Sequence, residues 1–219
     1  MSFIAKIVLG LALSCSVFAQ STPTANQVLF NLALSQRGVQ DYQMRIAGTA
    51  SIAGQTVQLD LTVSRISELE LTRVEFNKPD SLAGNVVISE KAGDKNYLAL
   101  TNQVVVSRDK GNGSRLNLGQ LTDIRGLVGN QNSVKLVSSE EIAGRGRVFV
   151  LEVIPPNNSP LAKVRVWVLE QGWQPYRIQT FDVSDGVVSD LTFLEFRTNL
   201  GLTPQALQAL PADAEVVNR

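Results

Sequence analysis

Between residues 41 and 198 the chain alternates apolar and polar residues with a period of two, in runs separated by short turn signals. Val57, Leu59, Leu61 and Val63 interleave with Gln58, Asp60 and Thr62. Successive side chains of a strand point to opposite faces, so this spacing predicts a half-buried β-strand. Similar runs follow over 84–90, 95–100, 103–108, 134–140, 148–154, 161–169, 176–182 and 187–198, with an earlier strand over 42–51. Gly54-Gln55, Gly93-Asp94, Thr101-Asn102, Gly144-Arg145-Gly146, Gln171-Gly172 and Ser184-Asp185-Gly186 supply hairpin turns. The run over 69–76 is irregular, because the apolar parity slips between Leu71 and Val74. Either a bulge resets the register there, or Arg73 points to the apolar side.

About ten or eleven consecutive strands joined by tight turns imply one antiparallel meander, and a sheet so wide curls or closes. No sequence repeat, low-complexity tract or linker divides the chain, so residues 20–219 read as one mainly β domain of α+β composition. One long helix precedes the strands. Thr24 is its N-cap, residues 25–37 its body, and Gly38 its stop. Val28, Leu29, Leu32, Ala33 and Gln36 share one face at helical spacing. A second, short helix begins at Pro204 after Thr203 and runs to Leu210.

Residues 110–132 break the strand pattern. They are rich in Gly and Asn yet hold Leu116, Leu118, Leu121, Ile124, Leu127 and Val128. This composition fits a loop with a short helix over 120–128, serving either as a lid over the sheet or as an ordinary connection packed on its edge.

The first 19 residues read as an export signal. Lys6 gives the n-region its charge, residues 7–14 are apolar, and Val17-Phe18-Ala19 forms a cleavage site. The alternative is a lipoprotein signal built on Cys15, although the residues before it fit a lipobox poorly. Cys15 is the single cysteine of the chain, so a cleaved product has no thiol and needs no disulfide. Export to the periplasm is the expected location.

Composition removes several chemistries. The 219 residues include no histidine, which excludes Ser-His-Asp and Cys-His arrangements and the commonest transition-metal ligand. The 20 basic and 20 acidic residues are interspersed, so no nucleic-acid track is visible. Gly111-Asn112-Gly113-Ser114 has neither the spacing nor the lysine of a phosphate loop. Glu140-Glu141 and Asp182/Asp185 lie beside turns, as solvated edges do. Trp167 and Trp173 flank a hairpin, where they pack in a core, stack on a sugar or sit at a lipid mouth. The expectation is a protein without catalytic residues, cofactor or metal.

The order of several motifs resembles a known family. These are the signal, the amphipathic helix, Asn77-Lys78-Pro79 after a strand, and a closing segment. That segment reads Val164-Arg165-Val166-Trp167-Val168, Trp173-Gln174-Pro175-Tyr176-Arg177-Ile178, Asp185-Gly186-Val187-Val188, and finally Leu210-Pro211-Ala212-Asp213-Ala214-Glu215-Val216-Val217. It is similar to the outer-membrane lipoprotein-sorting family, the LolA/LolB-like superfamily of periplasmic lipoprotein carriers. The resemblance implies an incomplete half-barrel, covered by the N-terminal helix and the helical loop, whose apolar cavity holds acyl chains of lipoproteins or other envelope lipids. Leu59, Leu61, Val63, Leu71, Phe76, Val86, Ile88, Trp167, Ile178 and Phe193 are the cavity candidates. Lys78 matches the family's lid-tethering cation, Arg73 is its stand-in, and Leu121, Ile124 and Leu127 belong to the lid. Membrane-bound donor and acceptor proteins are the implied partners, and the chain is expected to be a monomer. A sensor or a structural envelope protein on the same fold is the alternative.

Overall fold

The computed structural model describes residues 22–52, 54–107, 133–155 and 161–218. The expected signal and the expected lid, with Leu121, Ile124 and Leu127, lie outside them. The chain forms α1 (Ala25–Ser35), β1 (Asp41–Ile52), β2 (Gln55–Ile66), β3 (Leu71–Lys78), β4 (Val86–Glu90), β5 (Gly93–Leu98), β6 (Gln103–Ser107), β7 (Ser133–Ile142), β8 (Gly146–Ile154), β9 (Lys163–Leu169), a 3₁₀ turn (Gln171–Trp173), β10 (Pro175–Phe181), β11 (Val187–Thr198), α2 (Pro204–Gln208) and β12 (Glu215–Asn218). The N-cap of α1 is as expected, whereas the helix ends at Ser35, two residues before the expected Arg37, with Gln36 as its C-cap. Thr24 and Gln27 form a capping box, and Gly38 adopts φ +77 just beyond the end of α1.

All twelve strands belong to one open sheet, ordered β12-β6-β5-β4-β3-β2-β1-β11-β10-β9-β8-β7. The expected curved half-barrel is present, with two corrections. The described residues form twelve strands, and the sheet is not wholly antiparallel, because β12 pairs with β6 in parallel. The terminal Glu215-Val216-Val217, expected only as a family motif, forms this strand.

The central seam is β1 against β11. It bulges where Arg45 faces Glu195 and Ile46 faces Phe193, which leaves Leu194 as the extra residue. Two positions further along, Gly48 faces Leu191. A Cβ on Gly48 would stand 1.9 Å from the Asp190 carbonyl oxygen. The two central strands approach this closely only because the position has no side chain.

The parity slip in β3 has a simple resolution. β3 pairs with β2 without interruption from Leu71 to Phe76, and the bulge falls later, at Asn77. Val74 and Phe76 enter the main core, whereas Leu71 belongs to a second cluster with Val86, Ile88 and Leu207 of α2. Both faces of the strand are covered, so both carry apolar residues, and Arg73 lies on the α2 side.

Candidate functional site: the concave wall and the cleft beside α1

The concave face is built row by row from the strand register. Val153, Val164, Thr180, Ser189, Ala50 and Val57 are successive cross-strand partners from β8 to β2. The next row runs Leu151, Val166, Ile178, Leu191, Gly48 and Leu59. Ile46 lies between Phe193 and Leu61, and Leu61 faces Phe76. The side chains of these rows form one apolar cluster, closed over by Val28 and Leu32 of α1. The wall's hydroxyls at Thr180 and Ser189 hydrogen-bond each other at 2.8 Å, so their polarity is satisfied within the pair.

Of the ten expected cavity residues, the structure brings six together here: Leu59, Leu61, Val63, Phe76, Ile178 and Phe193. The other four stand elsewhere. Leu71, Val86 and Ile88 lie on the outer face beneath α2. Trp167 packs with Val148 and Val150 in a third cluster, with the Arg177 guanidinium 4.8 Å from its ring centroid. Strand parity explains the error for Trp167, since Val164, Val166 and Val168 of β9 already occupy the concave side. The tryptophan that serves the concave side is Trp173, whose ring stacks on Phe149 at 5.7 Å and 11°.

The two tether candidates also part company. Arg73 holds α2, with its Nη1 donating to the carbonyls of Leu207 (3.2 Å) and Ala209 (2.7 Å) while Nε donates to Glu75. These are the last carbonyls of a short helix, which a cation satisfies well. Lys78 ends β3 exposed, opposite Asp60.

α1 covers the concave wall lightly. It buries Val28 and Leu32, while Phe30 is 60% and Leu34 44% exposed. At its C-terminal end the Ser35 hydroxyl reaches the carbonyls of Leu32 and Trp173, each at 2.8 Å. Between α1 and the 3₁₀ turn lies an open cleft of about 430 Å³, lined by Pro23, Gln27, Phe30, Asn31, Arg147, Glu170 and Trp173.

Beside the two apolar clusters at α2 and Trp167, the outer face carries ion pairs. Arg45 binds Asp60 through Nε (3.1 Å) and Nη2 (2.7 Å), and Asn77 donates to the same carboxylate. Arg177 grips Asp190 bidentately, with Gln179 as a further donor. These hydrogen bonds hold both carboxyls below their ordinary range, against a burial effect of opposite sign. Among the described residues no His/Cys/Asp/Glu cluster could hold a metal ion.

No family model and no curated protein matches the sequence. Solved structures do. An uncharacterized conserved protein from Thermus thermophilus shares 24% identity, with a TM-score of 0.64 over 89% of this chain and 99% of its own. A putative outer membrane lipoprotein-sorting protein domain from Vibrio parahaemolyticus is similar at 15% identity and a TM-score of 0.49, over 83% of this chain and 95% of its own. A chain of the Pseudomonas aeruginosa MucA/MucB complex is 17% identical with a TM-score of 0.51, over 88% of this chain and 63% of that one. At these identities the likeness is one of fold, and the chain shares its half-barrel fold with the Thermus protein and with the chain of the MucA/MucB complex.

Proposed function

We propose that the protein is a non-enzymatic periplasmic carrier that holds acyl chains of lipoproteins or other envelope lipids against its concave wall. One observation carries this reading: a continuous apolar wall spans the half-barrel, and a helix that buries only two side chains closes over it. Apolar area hides lipid from water at roughly 25 cal/mol per Å². A light cover keeps the exchange between helix and lipid reversible.

Protein purified from a bacterial envelope should show lipid adducts in native mass spectrometry. Stripping the lipid and restoring it at 100 times Kd should stabilise the fold by about 2.7 kcal/mol. For a domain of this size that is a rise in Tm of roughly 5–10 °C. A bare mass together with an unmoved Tm would sink the carrier reading. Leu59→Lys or Leu61→Lys, scored on the fraction that still folds, should lose uptake.

The second reading is a regulatory protein that binds another protein on the same scaffold. It is favoured by the likeness to a chain of the MucA/MucB complex. Under it, the purified protein carries a stoichiometric protein partner and no lipid.

A further inference from the structure

We propose that the cleft between α1 and the 3₁₀ turn is the mouth through which a single acyl chain reaches the concave wall. The inference rests on the carrier reading and adds to it a route and an orientation. The cleft's volume of about 430 Å³ suits one chain rather than a folded partner, since small-molecule sites run from about 300 to 1,000 Å³.

Its lining is graded in polarity. Gln27 and Asn31 of α1, with the oppositely charged Arg147 and Glu170, supply polar groups. Trp173 lines the same cleft, and its ring stacks on Phe149, which is wholly buried in the concave cluster. Polar side chains and the indole that abuts the concave cluster thus line one cleft. An amphiphile with its chain inward and its polar end at the rim has that same gradient. Phe30, exposed at the cleft, gains cover when a chain lies beside it.

The mouth is also where the cover is easiest to lift. The Ser35 hydroxyl joins the end of α1 to the Trp173 carbonyl. Trp173 sits at φ +48, a left-handed conformation that a bulky side chain rarely adopts. A turn held in that region gains by relaxing, and relaxation moves the indole that separates cleft from core.

The two tryptophans make the test, because they stand on opposite faces of the sheet. The mature full-length protein is loaded with a fatty acid brominated at mid-chain, whose bromine quenches indole emission only at contact. In Trp167→Phe, where Trp173 is the reporter, the emission should be largely lost. In Trp173→Phe, where Trp167 reports from the outer face, it should stay near its unloaded value. Asn31→Trp narrows the cleft and should slow uptake and release alike by about tenfold, leaving Kd within about twofold. Absence of any bound fatty acid by native mass spectrometry would overturn the carrier reading and the mouth with it. Bound fatty acid with unquenched Trp173, or unchanged rates in Asn31→Trp, would overturn the mouth alone.

Discussion

The two halves of the sheet are sealed by different means. In the half made of β1 to β6, the chain after β11 crosses the outer face as a strap. Buried Asp41 receives the backbone N–H groups of Leu200, Gly201 and Leu202. Leu202, Leu207 and Leu210 then pack on Ile66, Leu71, Val86, Ile88 and Tyr97, and Arg73 fastens the end of α2. Asn102 binds Asp213, and β12 completes the edge beside β6. In the half made of β7 to β11, the outer face carries ion pairs and cations set over Phe181 and Trp167. Here the cover is α1, packed on the concave side beside the 3₁₀ turn and β7. The strapped half is fixed on its outer face by residues far apart in sequence. Among the described residues the other half takes its concave cover from a short helix, so under the carrier reading exchange between cover and ligand is expected there.

The seam between the halves is the place to break both at once. Gly48→Ala sets a methyl group 1.9 Å from the Asp190 carbonyl oxygen, and both sides of that contact are backbone. Neither strand can yield by turning a side chain. The expected loss is about 3 kcal/mol or more, or no folded protein at all. Chemical denaturation with soluble yield measures it, and a near-wild-type midpoint would show that the seam is looser than its geometry.

Releasing the strap should cost less and act on one half only. Asp41→Ala leaves three backbone donors without their acceptor, but residues 200 and 201 are exposed and water replaces part of the loss. About 2 kcal/mol is expected. Arg73→Ala removes the clamp on α2 together with the Glu75 ion pair, and about 1–2 kcal/mol follows. Hydrogen exchange locates both effects. Protection should fall across residues 200–218 and β4 to β6, while β8 to β10 keep theirs. Equal loss in both halves would mean that the strap stabilises the sheet as a whole.

The same contrast decides what the sequence revealed. Strands with one polar face were legible, because period-two alternation survives only where the two faces differ. β2 shows this clearly, with Leu59, Leu61 and Val63 inward and Asp60 and Ser64 on the far side. Under the strap the alternation fails, since Leu71 and Val74 are both apolar and face opposite ways. No local pattern says which of them sees the concave wall. The strap is a long-range feature, and Asp41 meets residues 159 to 161 positions away. The cleft was half legible. Trp173 was visible as a residue that could sit at a lipid mouth, but its partnership with Phe149 depends on the turn that places it.

The smallest effect sharpens the comparison on the outer face. Asp190, gripped first by Arg177 and then by Gln179, titrates below the ordinary carboxylate range, so its folded pKa is depressed relative to the unfolded chain. The stability it contributes is therefore fully present above the unfolded pKa of about 3.9. It is lost as pH falls through the folded value. Asp60 shifts the same way through Arg45. The partly exposed Asp190–Arg177 pair contributes about 0–1 kcal/mol. Asp190→Asn should lower Tm slightly at pH 6 and by less at pH 3, where the wild type has begun to lose the pair. Trp167 lies under Arg177, so its emission should change along the same acid limb in the wild type and not in the variant. Asp60→Asn supplies the control, with the same stability trend across pH and no change at Trp167. A Tm difference between Asp190→Asn and wild type that stayed constant from pH 6 to pH 3 would show that the pair's ionisation contributes nothing to the outer face of this half.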